Sequence, residues 1–226
     1  MKRILAVIPF VVDDDLRQRH EAALNKAASP GTVVRAVSLT TGPAPMDYEK
    51  PGFRHADAEV AELVERLQPE FDAAFIDCFE DPGLTEARRI ARIPVAGPLE
   101  TAVFLARSMG ERFMLVSPDP NGEGGYRRAI EAHGAGALYS AFLPVDFEVG
   151  GDNDHESAVE TLSSVIRRGR AEHQANLAVL ACTDFLTLHA DIVKRVGGCV
   201  IEPATTAVRA LELQLDMQAK RAGAAA

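Results

Sequence analysis

The chain has 226 residues, a formal net charge of −9, 47% hydrophobic residues and only 6% aromatics, with a calculated pI near 5.2. That length holds one large α/β domain or two small ones with a sizeable Ala/Val/Leu core. The acidic balance, with no basic stripe to break it, excludes a phosphate backbone as the natural partner, so no nucleic acid is expected. Three cysteines, none in CxxC spacing, exclude both a disulfide framework and a cysteine zinc centre, and point to the cytoplasm.

The opening MKRILAVIPFVVDDD reads as a first strand rather than a signal peptide, because Pro9 interrupts the apolar run and three aspartates follow it. No apolar run approaches the length of a membrane span, so no membrane partner is expected. Strand-like segments follow near residues 3–9, 32–39, 72–78, 93–97, 112–117, 137–143, 177–182 and 198–201. Helix-like segments lie near 14–28, 57–68, 84–92, 99–108, 122–134, 155–174, 185–196 and 204–221. The alternation predicts parallel sheets in an α/β fold. The stretch 40–53, with Pro43, Pro45, Pro51, Gly42 and Gly52, is expected to be an irregular loop suited to covering a site. The Ala-rich end, 222–226, is expected to fray.

The chain also repeats itself. Arg3 aligns with Arg112 and Pro9 with Pro118, each pair framing a basic-then-apolar run, and PLETAV at 98–103 matches PATTAV at 203–208 in four of six positions. Duplication predicts two similar Rossmann-like lobes, each a parallel sheet of about four strands flanked by helices, facing one another across a pseudo-twofold axis. The expected division is 1–97 plus 203–226 for the first lobe and 98–202 for the second.

Two apolar runs end at cysteines 104 residues apart, Cys78 in FDAAFIDCFEDPGL and Cys182 in NLAVLACTDF. A single cysteine in an apolar strand is usually a small buried hydrophobe. Two at equivalent strand ends of a duplicated chain would project toward a common cleft, where open α/β sheets bind ligands. That arrangement suits inversion of a carbon through its carbanion: one thiolate removes a proton from one face, and the other thiol returns one to the opposite face. A free thiol has a pKa of about 8.5, lowered at a helix N-terminus, and both cysteines precede helix-like segments. Backbone NH groups of Phe79, Glu80, Thr183 and Asp184 are candidates to bind the enolate-like oxygen or an acidic substrate group. Glu80 and Asp81 would raise the Cys78 pKa if they faced it, so their carboxylates are expected to point outward or to bond nearby NH groups. Cys199 has no counterpart in the first half and is expected to be structural.

The segments CFEDPGL from Cys78, IPVAGPLETA from Ile93 and LACTDF around Cys182 resemble the aspartate/glutamate/hydantoin racemase superfamily, in particular its hydantoin and allantoin racemase branch. The resemblance spans nearly the whole chain. It implies a cofactor-independent racemase, an isomerase of two α/β lobes acting on a small-molecule substrate, with Cys78 and Cys182 as the acid and base pair and a homo-oligomeric assembly. Two departures bear on the substrate. Where hydantoin racemases have an NPN segment with hydroxyl residues after the first strand, this chain has Pro9, Phe10, Val11 and Val12, implying a more apolar pocket in which Phe10 and Val11 meet the substrate. Around the second cysteine, CTDF resembles the amino-acid racemases more than the GCAGM-like run of the branch. Ser117 keeps the hydroxyl after the fifth strand. Both hydantoin-like or allantoin-like and amino-acid-like substrates therefore stay open. So do the related maleate isomerases, while two occupied cysteine positions disfavour an arylmalonate decarboxylase.

Three further features carry competing readings. The NGEGG run at 121–125 lies between strand and helix but lacks GxGxxG spacing, and reads as a turn rather than a nucleotide site. His133, His155, His173 and His189 fall singly in helix-like stretches, so no metal is predicted. A receiver-like phosphoacceptor module is the alternative of a different class: VVDDDLRQRHEAAL resembles a receiver opening, and Asp77 ends the third strand. It lacks the required lysine, since Ser117 precedes Pro118, and Gly97 stands where Ser or Thr should end the fourth strand. The aspartates are more simply an acidic helix N-terminus.

Overall fold

Strand character tracks strand position. β1 (Lys2–Ile8) and β3 (Ala73–Ile76) are almost continuously buried, whereas β2 (Thr32–Ser38) alternates buried and exposed residues along its first half. In the computed structural model, which describes residues 1–45, 47, 56–151 and 153–224, these strands form a parallel sheet with β4 (Val95–Ala96) in the order β2-β1-β3-β4. Continuous apolar runs occupy the interior strands, covered on both faces, and the alternating run lies at an edge. The second sheet repeats the plan. β5 (Phe113–Ser117) and β7 (Leu177–Leu180) are wholly buried interior strands, β6 (Tyr139–Pro144) and the two-residue β8 (Val200–Ile201) are edges, and the order is β6-β5-β7-β8.

All pairings are parallel, and their registers correspond between the sheets. Ile4 pairs with Ala73 and Val7 with Ile76 in the first; Phe113 pairs with Leu177 and Val116 with Leu180 in the second. Beyond the last pair each ladder gains one more bond, from Asp77 N to Val7 O and from Ala181 N to Val116 O, both 2.7 Å. The offsets of 109 residues between β1 and β5 and 104 between β3 and β7 are those that align Pro9 with Pro118 and Cys78 with Cys182. The repeat seen in the sequence is thus a repeat of topology and register.

The chain divides into two compact units, Met1–Pro98 with Ala204–Ala226, and Leu99–Pro203. In the first, α1 (Asp14–Ala27), α2 (Asp57–Leu67) and α3 (Leu84–Ile90) flank the sheet, joined by α8 (Pro203–Ala224). α2 shows how pattern becomes packing: Val60, Ala61, Leu63 and Val64 share one face and pack against Leu5, Val7, Ala74 and Ile76. Each such fully buried Val, Leu or Ile contributes roughly 1.5–3 kcal/mol relative to exposure. α8 is tied on by polar contacts, from Ser29 Oγ to Glu212 at 2.6 Å and from Lys2 to Asp216 at 2.8 Å.

The second unit holds α4 (Pro98–Met109), α5 (Glu123–Ala132), α6 (His155–His173) and α7 (His189–Val196). Val159, Leu162 and Ile166 of α6 meet Met114, Val116, Ala178 and Leu180 in its core. Proline opens both α4 and α8, at the one helical position where its missing NH costs nothing. The predicted and observed helices agree except at the seventh, expected from residue 185. Thr183–Thr187 instead forms a 3-10 turn and α7 begins at His189. Asp184 accepts a hydrogen bond from Gly150 N at 2.6 Å and Phe185 is wholly buried edge-on to Phe147, so both are held by long-range contacts before a helix can start. In the proline-rich stretch 40–53, residues 46 and 48–53 lie outside the described residues. α8 continues to Ala224, past the start of the segment expected to fray; 225 and 226 lie outside the description.

Candidate active site

β3 stops at Ile76 because the chain turns back on itself. Cys78 N donates to Ile76 O at 2.9 Å, closing a three-residue turn centred on Asp77, and Asp81 N donates to Cys78 O at 3.2 Å. Cys78 is therefore held by two consecutive turns, two residues beyond a strand buried along its whole length. The thiol is partly exposed. Glu80 is exposed, while Asp81, a non-glycine residue at φ 54°, lays its carboxylate against Gly97. Gly83, at φ 70° and against Asp57, provides the left-handed position from which α3 begins.

The second unit builds the corresponding segment. Cys182 stands two residues beyond β7, in extended conformation (φ −160°, ψ 134°), and caps the 3-10 turn Thr183–Thr187. It is partly buried against the second core. Thr183 is buried, and Asp184 is held by Gly150. Both cysteines precede helical segments, but neither lies in the first turn of an α-helix: Cys78 is six residues before α3, and Cys182 precedes a 3-10 turn. The amides nearest each belong to tight turns, and a macrodipole contribution fades beyond a helix's first turn.

The model of the Asp/Glu/Hydantoin racemase family matches residues 15–211. The chain belongs to that family. Hydantoin racemase from Paenarthrobacter aurescens is 28% identical over 193 residues, covering 84% of this chain and 81% of that protein. Hydantoin racemase from Rhizobium meliloti is 29% identical over 185 residues, covering 81% and 77%. Among solved structures, allantoin racemase from Klebsiella pneumoniae superposes with a TM-score of 0.84 at 24% identity, covering 96% of this chain and 89% of that one. The structure of unliganded arylmalonate decarboxylase gives 0.60 at 16%, covering 95% and 92%. The fold is that of these proteins, and family membership places the chain among racemases, hence isomerases.

In this racemase-family chain the remaining predicted site residues are distributed as follows. Phe79 is buried. Ser117 closes β5, fully buried, its Oγ accepting from Asp119 N at 3.1 Å. Phe10 is half-buried and Val11 is exposed; Leu39 N donates to Phe10 O, and Val11 N donates to Pro43 O at 2.8 Å. The start of the proline-rich loop is thereby fastened to the segment after β1. Cys199 N-terminal to β8 is half-buried, and burial together with Glu111 pushes its thiol up. None of the three cysteines is in a disulfide.

The receiver alternative meets a physical obstacle in this racemase-family fold. Asp13 caps α1, accepting from Leu16 N at 2.8 Å, and Asp14 and Asp15 pair with Arg17 and Arg19. Asp77, the supposed phosphoacceptor, has its side chain wholly buried against His20, out of reach of a phosphodonor. The NGEGG run is a turn in which Asn121 N bonds Asp119 and Gly122 precedes α5. Among the described residues no group of three or more His, Cys, Asp or Glu is placed to hold a metal ion, and no helix is long and apolar enough to cross a membrane.

His20 is the residue that sequence reasoning missed. Its Nδ1 lies 3.0 Å from Asp77 Oδ2, one residue before Cys78. Asp77 stands one residue beyond a wholly buried strand, where a carboxylate needs a polar partner, but nothing local to it points to His20, 57 residues away.

Proposed function

We propose that the protein is a cofactor-independent racemase that inverts an acidic carbon next to a carbonyl, with Cys78 and Cys182 as its two bases. One thiolate takes the α-proton, the electron pair passes into the carbonyl as an enolate, and the other thiol delivers a proton to the opposite face. The sulfur that began as thiolate ends as thiol, and the other the reverse, so the enzyme is ready for the other enantiomer. The observation that carries this function is the equivalence of the two cysteines. Each stands two residues past the equivalent interior strand of a repeated sheet, at the same ladder position, in a chain of the racemase family.

In this mechanism both sulfurs act in one catalytic cycle. Backbone amides of Phe79, Glu80, Thr183 and Asp184 stabilise the developing oxyanion, while Phe10 and Val11 contact the substrate body and buried Ser117 holds the turn at Asp119. The names of the relatives, hydantoin and allantoin racemases, support a cyclic ureide substrate; the CTDF run around Cys182 keeps amino acids in the panel. The test is incubation in deuterium oxide with single enantiomers of hydantoins, allantoin and amino acids, following optical rotation and deuterium at the α-carbon together. Loss of rotation with one deuterium gained per inversion supports the two-base mechanism. Turnover of none of the panel contradicts the substrate class.

A further inference from the structure

The two cysteine segments differ in one respect that their common topology does not require. Before Cys78 stands an acid, Asp77, 3% exposed, whose side chain is wholly buried; at the equivalent position before Cys182 stands Ala181. Asp77 Oδ2 lies 3.0 Å from Nδ1 of His20, on the face of α1 that carries Leu24 one turn later into the core. A carboxylate only accepts hydrogen bonds, so the ring nitrogen facing it carries the proton. The backbone leaves Asp77 no freedom to withdraw: its own NH is bonded to Val7 O at 2.7 Å, and the turn across it is closed by Cys78 N on Ile76 O.

A buried carboxylate this close in the chain to a thiol opposes that thiol's ionisation, and an imidazole bonded to the carboxylate reduces the opposition. We infer that the His20–Asp77 pair is a positioning element for Cys78: it anchors the turn that presents the first sulfur and screens that sulfur from the adjacent buried negative charge. At the equivalent position the second segment carries Ala181, which offers no carboxylate for such a pair. The two bases of the proposed racemase are then tuned separately, which is a refinement of the function proposed above and rests on it for its meaning in catalysis. The other acids of the segment, exposed Glu80 and Asp81 against Gly97, are the same in every comparison below.

The experiment uses the full chain without substrate. Limiting iodoacetamide is added, and alkylation of Cys78 and Cys182 is timed in the same sample by peptide mass spectrometry, since the thiolate is the species that reacts. H20L leaves the carboxylate unscreened and is expected to slow Cys78 about tenfold, as a change of about one unit in the thiol's pKa requires, with Cys182 unchanged. H20N places an amide donor where Nδ1 was and is expected to stay near the wild type. D77N/H20L removes the charge as well and is expected to recover Cys78. An unchanged Cys78 rate in H20L, an equal fall at both cysteines, or no recovery in D77N/H20L overturns the inference. Should H20L not fold by circular dichroism, D77N decides: a Cys78 rate equal to or above the wild type supports the inference, and a fall contradicts it. In a C182S background, α-hydrogen exchange of the enantiomer served by Cys78 follows the same order. If C78S and C182S both racemise normally while the alkylation asymmetry holds, the racemase mechanism falls and the pair's effect on Cys78 stands.

Discussion

A β-carbon at Gly97 would fall 2.3 Å from both Cγ and Oδ2 of Asp81 and 2.6 Å from Cδ2 of Leu84. The turn that follows Cys78 and the residue that ends the β4 segment thus occupy adjoining space with none to spare. Asp81 is poorly able to give way, because its backbone already sits at φ 54°, a left-handed conformation that aspartate tolerates better than most residues. G97A is expected to lower stability by about 1–3 kcal/mol, the usual range for overpacking. Denaturant unfolding measures this, and D81G/G97A, which removes the obstructing carboxylate and relaxes the turn, is expected to recover part of the loss.

Glu212 on α8 gives a prediction with a definite pH sign. Burial raises its carboxyl, but hydrogen bonds from Ser29 Oγ at 2.6 Å and Ser29 N at 2.7 Å, with Arg209 at 3.0 Å, outweigh burial and hold it below the usual carboxylate range. A folded-state pKa below the unfolded one contributes stability above the unfolded value, about 4.3, and loses it as pH falls through the folded value. E212Q is expected to cost about 1–3 kcal/mol at neutral pH. Unfolding curves of variant and wild type should converge as the pH is lowered below about 4. A gap that widens in acid would contradict the assignment.

Arg170 ties three segments of the second unit. Its Nε donates to Asn176 O at 3.0 Å, Nη1 to Val196 O and Gly197 O, both at 2.9 Å, and Nη2 to Cys199 O at 3.3 Å. It thereby satisfies carbonyls at the end of α7, and it lies against Gly198, whose φ of 68° favours glycine. A lysine is a point donor that cannot span this set. R170K is expected to cost about 1–3 kcal/mol and R170A more, with faster alkylation of Cys199 as the local readout.

Most of the architecture was legible because interior parallel strands announce themselves. LAVL and AAFI have no polar interruption, and TVVRAVS alternates. The duplication was legible because the offsets of its short matches are the offsets between paired strands. Strand order was not, since it is decided by pairing across tens of residues that leaves no local period. The equivalent strand-end positions of Cys78 and Cys182 were legible from the repeat. The His20–Asp77 pair was not: its partners are 57 residues apart, and each alone resembles an ordinary surface or helix-cap residue. The start of α7 was misplaced for the same reason, because Asp184 and Phe185 answer to Gly150 and Phe147 rather than to their neighbours.

The central claim is that racemisation needs both Cys78 and Cys182, and single-cysteine variants in deuterium oxide test it most directly. C78S and C182S, each checked for native circular dichroism, are expected to lose at least about 100-fold in racemisation, as removal of a general acid or base does. Each should still exchange the α-hydrogen of one enantiomer, and the two variants should serve opposite enantiomers. Racemisation at the wild-type rate in both variants would contradict the account.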